Sequence, residues 1–263
     1  MLDGEQQMEC KTPEEVYASW FNHIQSIHAT NPNRHSNQAS YDATLRDNYP
    51  WAFWNLKQND LHLVCHDIGC AYGTLSLGAY TLGYKVYAVD IVDEYVNAEA
   101  LSFRGIPFIQ HDIESGPVPD VPEADVVLFT EVLEHLNSNP IRAICNVRNM
   151  MKPGALLILS TPRFEDSRHY RGRYQVGLDP VERWTDIPLK SSEEWIDAHT
   201  YLYTEVELRQ LLDLCGFKIL QTGNPWGGLT TGITAYKTIE VDTLVTARAY
   251  QYVELMQEKS VKS

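Results

Sequence analysis

Short apolar runs alternate with stretches of helical spacing along most of this chain. Leu61 to Cys65, Lys85 to Val89, Pro107 to Gln110, Ala124 to Phe129, Ala155 to Leu159 and Phe217 to Leu220 are bounded by turn formers, and each is short enough to predict a strand. Between them the spacing predicts helices over about 74–82, 93–103, 140–151 and 205–215, closed by Gly83, Gly105, Pro153-Gly154 and Gly216. Thr204-Glu205-Val206-Glu207 forms a capping box, in which hydroxyl and carboxylate satisfy donors left open at a helix start. From Ile233 onward the pattern predicts one further strand and a terminal helix. Strands interleaved with helices build βαβ units, so the fold class is α/β with a mostly parallel seven-stranded sheet and helices on both faces.

The two ends of this pattern set the domain organisation. Residues 13 to 28 open with Pro13-Glu14-Glu15 and carry Val16, Trp20, Phe21, Ile24 and Ile27 on one face, which predicts an amphipathic helix with acids in its first turn. Residues 31–60 are rich in Asn, Ser and aromatics, among them Tyr41, Tyr49, Trp51 and Trp54, and read as a covering segment. Residues 1–60 are therefore expected to form a helical cap, and 61–263 the main domain. Within the latter, 162–198 has no periodic segment and is too long for an ordinary connection, so it is expected to be an insertion or lid. Trp51 and Trp54 either roof a site or fasten the cap to the core.

Composition narrows the partners. The 263 residues are 44% hydrophobic and 21% charged, enough for one large α/β domain, and the formal net charge of −14 repels a nucleic-acid duplex and favours a small-molecule substrate. A nucleic-acid partner is not expected, and a homodimer is compatible with these features. Cys10, Cys65, Cys70, Cys145 and Cys215 are odd in number and lack CxxC spacing, as expected of reduced thiols filling a core in the cytoplasm. Neither a signal segment nor a bilayer-length apolar run is found, so no membrane association is expected.

The candidate chemistry starts at His66-Asp67-Ile68-Gly69-Cys70-Ala71-Tyr72-Gly73, which follows one predicted strand and opens a helix. Its small residues, Gly69, Ala71 and Gly73, stand where a backbone approaches a ligand closely. The next predicted strand ends in Asp90, beside Ile91 and 23 residues after Asp67, a place from which an acid accepts hydrogen bonds from ribose hydroxyls. Two ligands compete. A dinucleotide brings a pyrophosphate, which Asp67 repels; a nucleoside bearing a cationic amino acid suits that acid.

The D-x-G-x-A-x-G arrangement from Asp67 to Gly73 resembles the first motif of class I S-adenosylmethionine-dependent methyltransferases, with Ala71 in place of the usual middle glycine. Ile109-Gln110-His111-Asp112-Ile113 is similar to their third-strand motif, VVLFTEVLEH (Val126 to His135, through Thr130) to their post-fourth-strand motif, and Met151-Lys152-Pro153-Gly154 to the turn before their fifth strand. The resemblance runs from Leu61 to Leu220. It implies a Rossmann-like sheet, S-adenosyl-L-methionine as cofactor, and contacts to it from the first motif, from Asp90 and Ile91, from Asp112 (to the adenine amino group) with Ile113, and from Thr130.

In such an enzyme the sulfonium drives the reaction, and the protein's task is alignment and removal of a proton. Glu131, Glu134 and His135 stand at i, i+3 and i+4, on one face if the segment is helical, and His199 follows 64 residues after His135. Two readings stay open. Glu131, Glu134, His135 and His199 form a donor set for a divalent cation such as Mg or Mn; ExxEH with a distant His resembles the metal site of small-RNA terminal 2′-O-methyltransferases, and ExxEH alone resembles the ubiquinone-biosynthesis O-methyltransferases. Alternatively no metal binds, and His135 acts as general base with Glu131 and His199 in the catalytic set. The expected acceptor is a small-molecule hydroxyl, catechol-like or on a sugar, in a biosynthetic pathway. Nitrogen acceptors, RNA ends and a non-catalytic binding protein are the rivals. Arg163, Arg168, His169, Arg171 and Arg173, interleaved with Phe164, Tyr170 and Tyr174 and followed by Trp184 and Trp195, are either an anion- or sugar-binding surface or a solvated loop.

Overall fold

The structure, a computed structural model, describes residues 13–30, 37–44, 49–56, 62–162, 181–190, 198–222, 230–240 and 242–261. Strands β1 (Val64–Ile68), β2 (Lys85–Asp90), β3 (Phe108–Gln110), β4 (Ala124–Thr130), β5 (Met151–Pro162), β6 (Phe217–Thr222) and β7 (Thr230–Lys237) form one sheet in the order β3-β2-β1-β4-β5-β7-β6. Only β7 runs against its neighbours, β5 and β6.

The alternation of side chains along the central strands splits the core into two layers. Val126 and Leu128 of β4 and Leu156 and Ile158 of β5 face one side, while Val127, Phe129, Leu157 and Leu159 face the other. Helices α1 (Pro13–Ala29), α3 (Tyr49–Asn55), α4 (Thr74–Thr81) and α5 (Ala98–Phe103) cover the first side; α6 (Ile141–Asn149), α7 (Glu205–Leu214) and α8 (Asp242–Val261) cover the second. A short helix, α2 (Gln38–Thr44), lies near the strand ends. The capping box at α7 is formed from both sides: the Thr204 hydroxyl accepts from the Glu207 amide at 3.2 Å, and the Glu207 carboxylate accepts from the Thr204 amide at 2.9 Å.

The N-terminal helices share the first core layer with the sheet. Trp20 stacks on Phe53 with centroids 4.3 Å apart and lies so close over Gly78 that a β-carbon there would stand 2.4 Å from its ring. Trp51 is buried against Gly232 of β7, where a β-carbon would meet its ring at 2.7 Å, whereas Trp54 is 52% exposed. Trp51 thus fastens these helices to the sheet, and burial of such a side chain contributes roughly 1.5–3 kcal/mol.

The structure departs from the sequence pattern locally. β1 begins three residues later than the apolar run, which carries Asp67 inside the strand. α5 begins at Ala98, not Asp93, because the Asn97 side chain caps it by accepting from the Ala100 amide at 3.1 Å. β5 begins at Met151: Met151 pairs with Ala124, and the chain bulges through Lys152-Pro153-Gly154 before Leu156 pairs with Val126. No described helix is long and apolar enough to cross a membrane.

Candidate active site

A cavity of about 560 Å³ opens at the C-terminal ends of β1, β2 and β4, where the strand order reverses. That is where open α/β sheets bind ligands, and the volume lies within the roughly 300–1,000 Å³ typical of such sites.

Its floor is the loop between β1 and α4. The amides of Gly69 and Cys70 donate to the Val89 carbonyl at 2.8 and 3.0 Å, holding the loop against β2. Gly69 has φ +76°, and a β-carbon there would lie 2.2 Å from Cγ2 of Val132, so the position requires glycine on both counts. Ala71 also adopts a left-handed conformation, φ +44°, and its amide donates to Oδ2 of Asp90 at 2.8 Å. The Val92 amide donates to Oδ1 of Asp90 at 3.2 Å, so two backbone donors orient this carboxylate at the cavity wall. Ile91, Asp112 and Ile113 line the adjoining wall, and Asp112 accepts from the Glu114 amide at 2.8 Å.

Asp67, Gly73 and Thr130 do not line the cavity. Asp67 lies beneath it, buried and accepting from the Ser76 hydroxyl at 2.6 Å, and burial pushes its carboxyl up to about 7. Gly73 immediately precedes α4 and packs on Leu101, and Thr130 closes β4.

The segment after β4 is not the helix that would put the i, i+3 and i+4 residues on one face. Glu131 is left-handed, φ +54°, and only Leu133–His135 make a single 3₁₀ turn. Glu131 consequently turns to β5: its amide donates to the Ser160 carbonyl at 2.9 Å, and its carboxylate accepts from the Ser160 hydroxyl at 2.7 Å. Burial pushes it up to about 7. Glu134 is fully buried, accepts from the Thr161 hydroxyl at 2.9 Å, and is held well above the usual carboxylate range by burial and then by the nearby Glu131 charge. Among the described residues its Oε1 has no hydrogen-bond partner, and it lies 3.8 Å from Nε2 of His135.

Thr200 brings the distant histidine to this turn. Its amide donates to the Glu134 carbonyl at 2.6 Å and its hydroxyl reaches the Leu136 carbonyl at 2.6 Å, which places the His199 ring nearly perpendicular to that of His135 with centroids 4.9 Å apart. Ligand atoms of Glu134, His135 and His199 lie within 4.8 Å of one another; Glu131, expected in the same donor set, stands outside it because of its turn toward Ser160.

Four carboxylates line the cavity, those of Asp90, Asp112, Glu114 and Glu131, and among the described residues no lysine or arginine does. Glu114 is committed internally, accepting from the amides of Asn137 and Ser138 at 3.1 and 2.7 Å and from the Ser138 hydroxyl. Sequence reasoning missed the aromatic wall of Tyr41, Tyr72 and Tyr95. Tyr41 stood out only as one of several N-terminal aromatics, and no spacing ties it to the glycine loop. Arg163 to Tyr174 and Trp195 lie outside the described residues; Trp184 is buried in the second core layer.

Sheet order, glycine loop and acid-lined cavity together define a nucleoside-binding α/β enzyme of the Rossmann-like kind. The family model for the methyltransferase domain matches residues 42–222, and the chain belongs to that family: it is a class I, S-adenosylmethionine-dependent methyltransferase. Among solved structures, the chain is similar to the [4+2]-cyclase SpnF (16% identity, TM-score 0.54, covering 87% of this chain and 97% of that one). It is also similar to the Burkholderia thailandensis 1,6-didemethyltoxoflavin-N1-methyltransferase, solved with its substrate and S-adenosylhomocysteine (18%, 0.53, 90% and 93%). A third is the N-methyltransferase NodS from Bradyrhizobium japonicum WM9 (14%, 0.51, 75% and 98%). At these identities the likeness concerns the fold. No curated protein sequence matches.

Proposed function

We propose that this enzyme methylates a hydroxyl group of a small-molecule acceptor in a biosynthetic pathway, with S-adenosyl-L-methionine as donor and His135 as general base. The observation that carries the reading is the charge of the cavity: a wall of carboxylates without lysine or arginine among the described residues suits a cationic nucleoside and opposes a pyrophosphate. Asp90, held by two backbone amides, would accept from a ribose diol, Asp112 with Ile113 on the adjoining wall would meet the adenine, and the left-handed backbone at Gly69 and Ala71 would admit an amino-acid moiety at close range. Asp67, beneath the loop, adds negative potential from below as it ionises at about pH 7. When bound, the cofactor supplies an electrophilic methyl group on a sulfonium.

The hydroxyl preference rests on the acid–base groups gathered at the other end of the cavity. A hydroxyl must lose its proton as it attacks, and His135, with the Glu134 carboxyl 3.8 Å from its Nε2 and His199 beside it, would take that proton. Calorimetric titration with S-adenosylmethionine and with NAD⁺, followed by a turnover screen of catechols and sugars, tests the reading. Binding of the first ligand alone, with a hydroxyl methylated, is expected; NAD⁺ binding in its place overturns it, and ligand binding with every acceptor untouched favours a non-catalytic role.

One observation favours a second reading. The convergence of Glu134, His135 and His199 would hold a divalent Mg or Mn ion through one carboxylate and two imidazoles. These are three of the four residues whose pattern resembles the metal site of RNA 2′-O-methyltransferases, Glu131 standing outside the set, and the acidic cavity opposes a phosphate backbone. Titration with Mn²⁺, monitored by electron paramagnetic resonance, separates the two: a bound ion lost in His199→Ala supports the metal, and its absence leaves His135 as the base.

A further inference from the structure

Two adjacent residues of α2 are attached in opposite directions. Asp42 is buried in the protein: its carboxylate accepts from the Thr74 hydroxyl at 2.9 Å, the Gln25 side-chain amide at 2.7 Å and the Tyr49 hydroxyl at 3.3 Å. Thr74 begins α4, directly after the glycine loop, and its hydroxyl also lies 3.1 Å from Nε2 of His28. The other ring nitrogen of His28 lies 3.0 Å from the side chain of Asn97, which caps α5. Asp42 therefore joins α1, α2 and α3 to the starts of the two helices that follow β1 and β2.

Tyr41 lines the cavity. Its ring meets Tyr72 edge-on at 5.0 Å between centroids, Tyr72 meets Tyr95 at 5.8 Å, and all three rings border the same space. Burial first, then the charges of Glu131, Glu134 and Asp90, push the Tyr41 phenol above its ordinary range, so that it stays neutral. A neutral aromatic surface among carboxylates stabilises a cation and gives little to an uncharged ligand of the same shape. Tyr41 also immediately precedes the residues that the family model covers.

We propose that Tyr41, backed by Tyr72 and Tyr95, is the residue that reads the positive charge of the cofactor, distinguishing the sulfonium of S-adenosylmethionine from the thioether of S-adenosylhomocysteine, and that Asp42 is the positioning residue that holds it there. The proposal rests on the cavity being the S-adenosylmethionine site. A spent cofactor that has lost its charge would thereby lose one of its holds on the protein.

The test is calorimetric titration of the full chain, separately with S-adenosylmethionine and S-adenosylhomocysteine, in the wild type and in Tyr41→Leu, Tyr41→Phe and Asp42→Asn. Tyr41→Leu is expected to weaken the sulfonium ligand about tenfold and the thioether no more than about twofold. Tyr41→Phe, which keeps the ring, retains the wild-type ratio of the two affinities. Asp42→Asn moves that ratio in the same direction as the leucine variant. A merely structural role would weaken both ligands alike, so equal losses, or no loss, in Tyr41→Leu overturn the proposal. A phenylalanine variant that behaves as the leucine one does overturns the role of the ring. If the wild type binds neither ligand, the assignment of the cavity itself falls, and this proposal with it.

Discussion

Ser76 donates a hydrogen bond to Asp67 at 2.6 Å, and both side chains are buried. The bond favours the ionised carboxylate while burial opposes it, and burial prevails, leaving Asp67 at about 7 against an ordinary value of 3.8. Glu131 is raised from 4.5 to about 7 for the same reason.

The ligand-free protein should therefore lose stability as pH rises. In the folded state both acids hold their protons more tightly than in the unfolded chain, so their contribution is complete below about pH 4 and disappears as pH passes about 7. Melting temperatures measured between about pH 5 and pH 8 should fall. Affinity for S-adenosylmethionine should rise over the same interval, because a cation favours the ionised acids. In Ser76→Ala, where the bond that favours ionisation is gone, both profiles should move to higher pH; a flat stability profile would contradict the burial of these two acids.

Gly69→Ala should weaken cofactor binding at least about tenfold. The left-handed backbone alone costs a side chain roughly 1–2 kcal/mol, and the new methyl would press on Val132 at the cavity edge. Adding Val132→Ala relieves only the second of these, so the double variant should recover part of the affinity. Wild-type affinity in Gly69→Ala, read by calorimetry, would show that the loop has room to spare.

His135→Ala should reduce turnover by about 10²- to 10⁴-fold at saturating acceptor while leaving S-adenosylhomocysteine affinity nearly unchanged. The role of base is lost if turnover stays at the wild-type level. Steady-state kinetics together with binding separate this from damage to the cofactor site.

Trp51→Ala should cost roughly 3–5 kcal/mol, because it empties the contact between α3 and β7. Trp54→Ala, at a surface position, should lie within about 0.5 kcal/mol of the wild type. Urea unfolding of the two variants makes the comparison, and equal effects would mean that the first of these rings is not what holds the N-terminal helices.

The strands were legible because burial on both faces leaves continuous apolar runs, as in Val126 to Phe129, and the α7 start because its cap is local. Asp90 and Gly69 were legible as well, since a loop between neighbouring strands fixes their places within a few residues. Glu131 would share a face with Glu134 and His135 only in a helix, and spacing alone cannot show that its backbone turns left-handed to reach Ser160. Asp67 was expected in the segment that follows the first strand; β1 runs on to Ile68, and a bond from Ser76 holds Asp67 below the surface. Tyr41 had no local signal at all, because what places it is Asp42 reaching 32 residues ahead to Thr74.

Residues 181–190 are tied into the second core layer, where Trp184 and Ile187 are buried and the Asn139 side chain donates to the carbonyls of both. Pro162 is paired to Thr230 in the sheet, and Thr200 is pinned to the carbonyls of Glu134 and Leu136. Any exchange of sequence between these two posts must therefore keep residues 181–190 and His199, because the second core layer and the histidine turn are built with them.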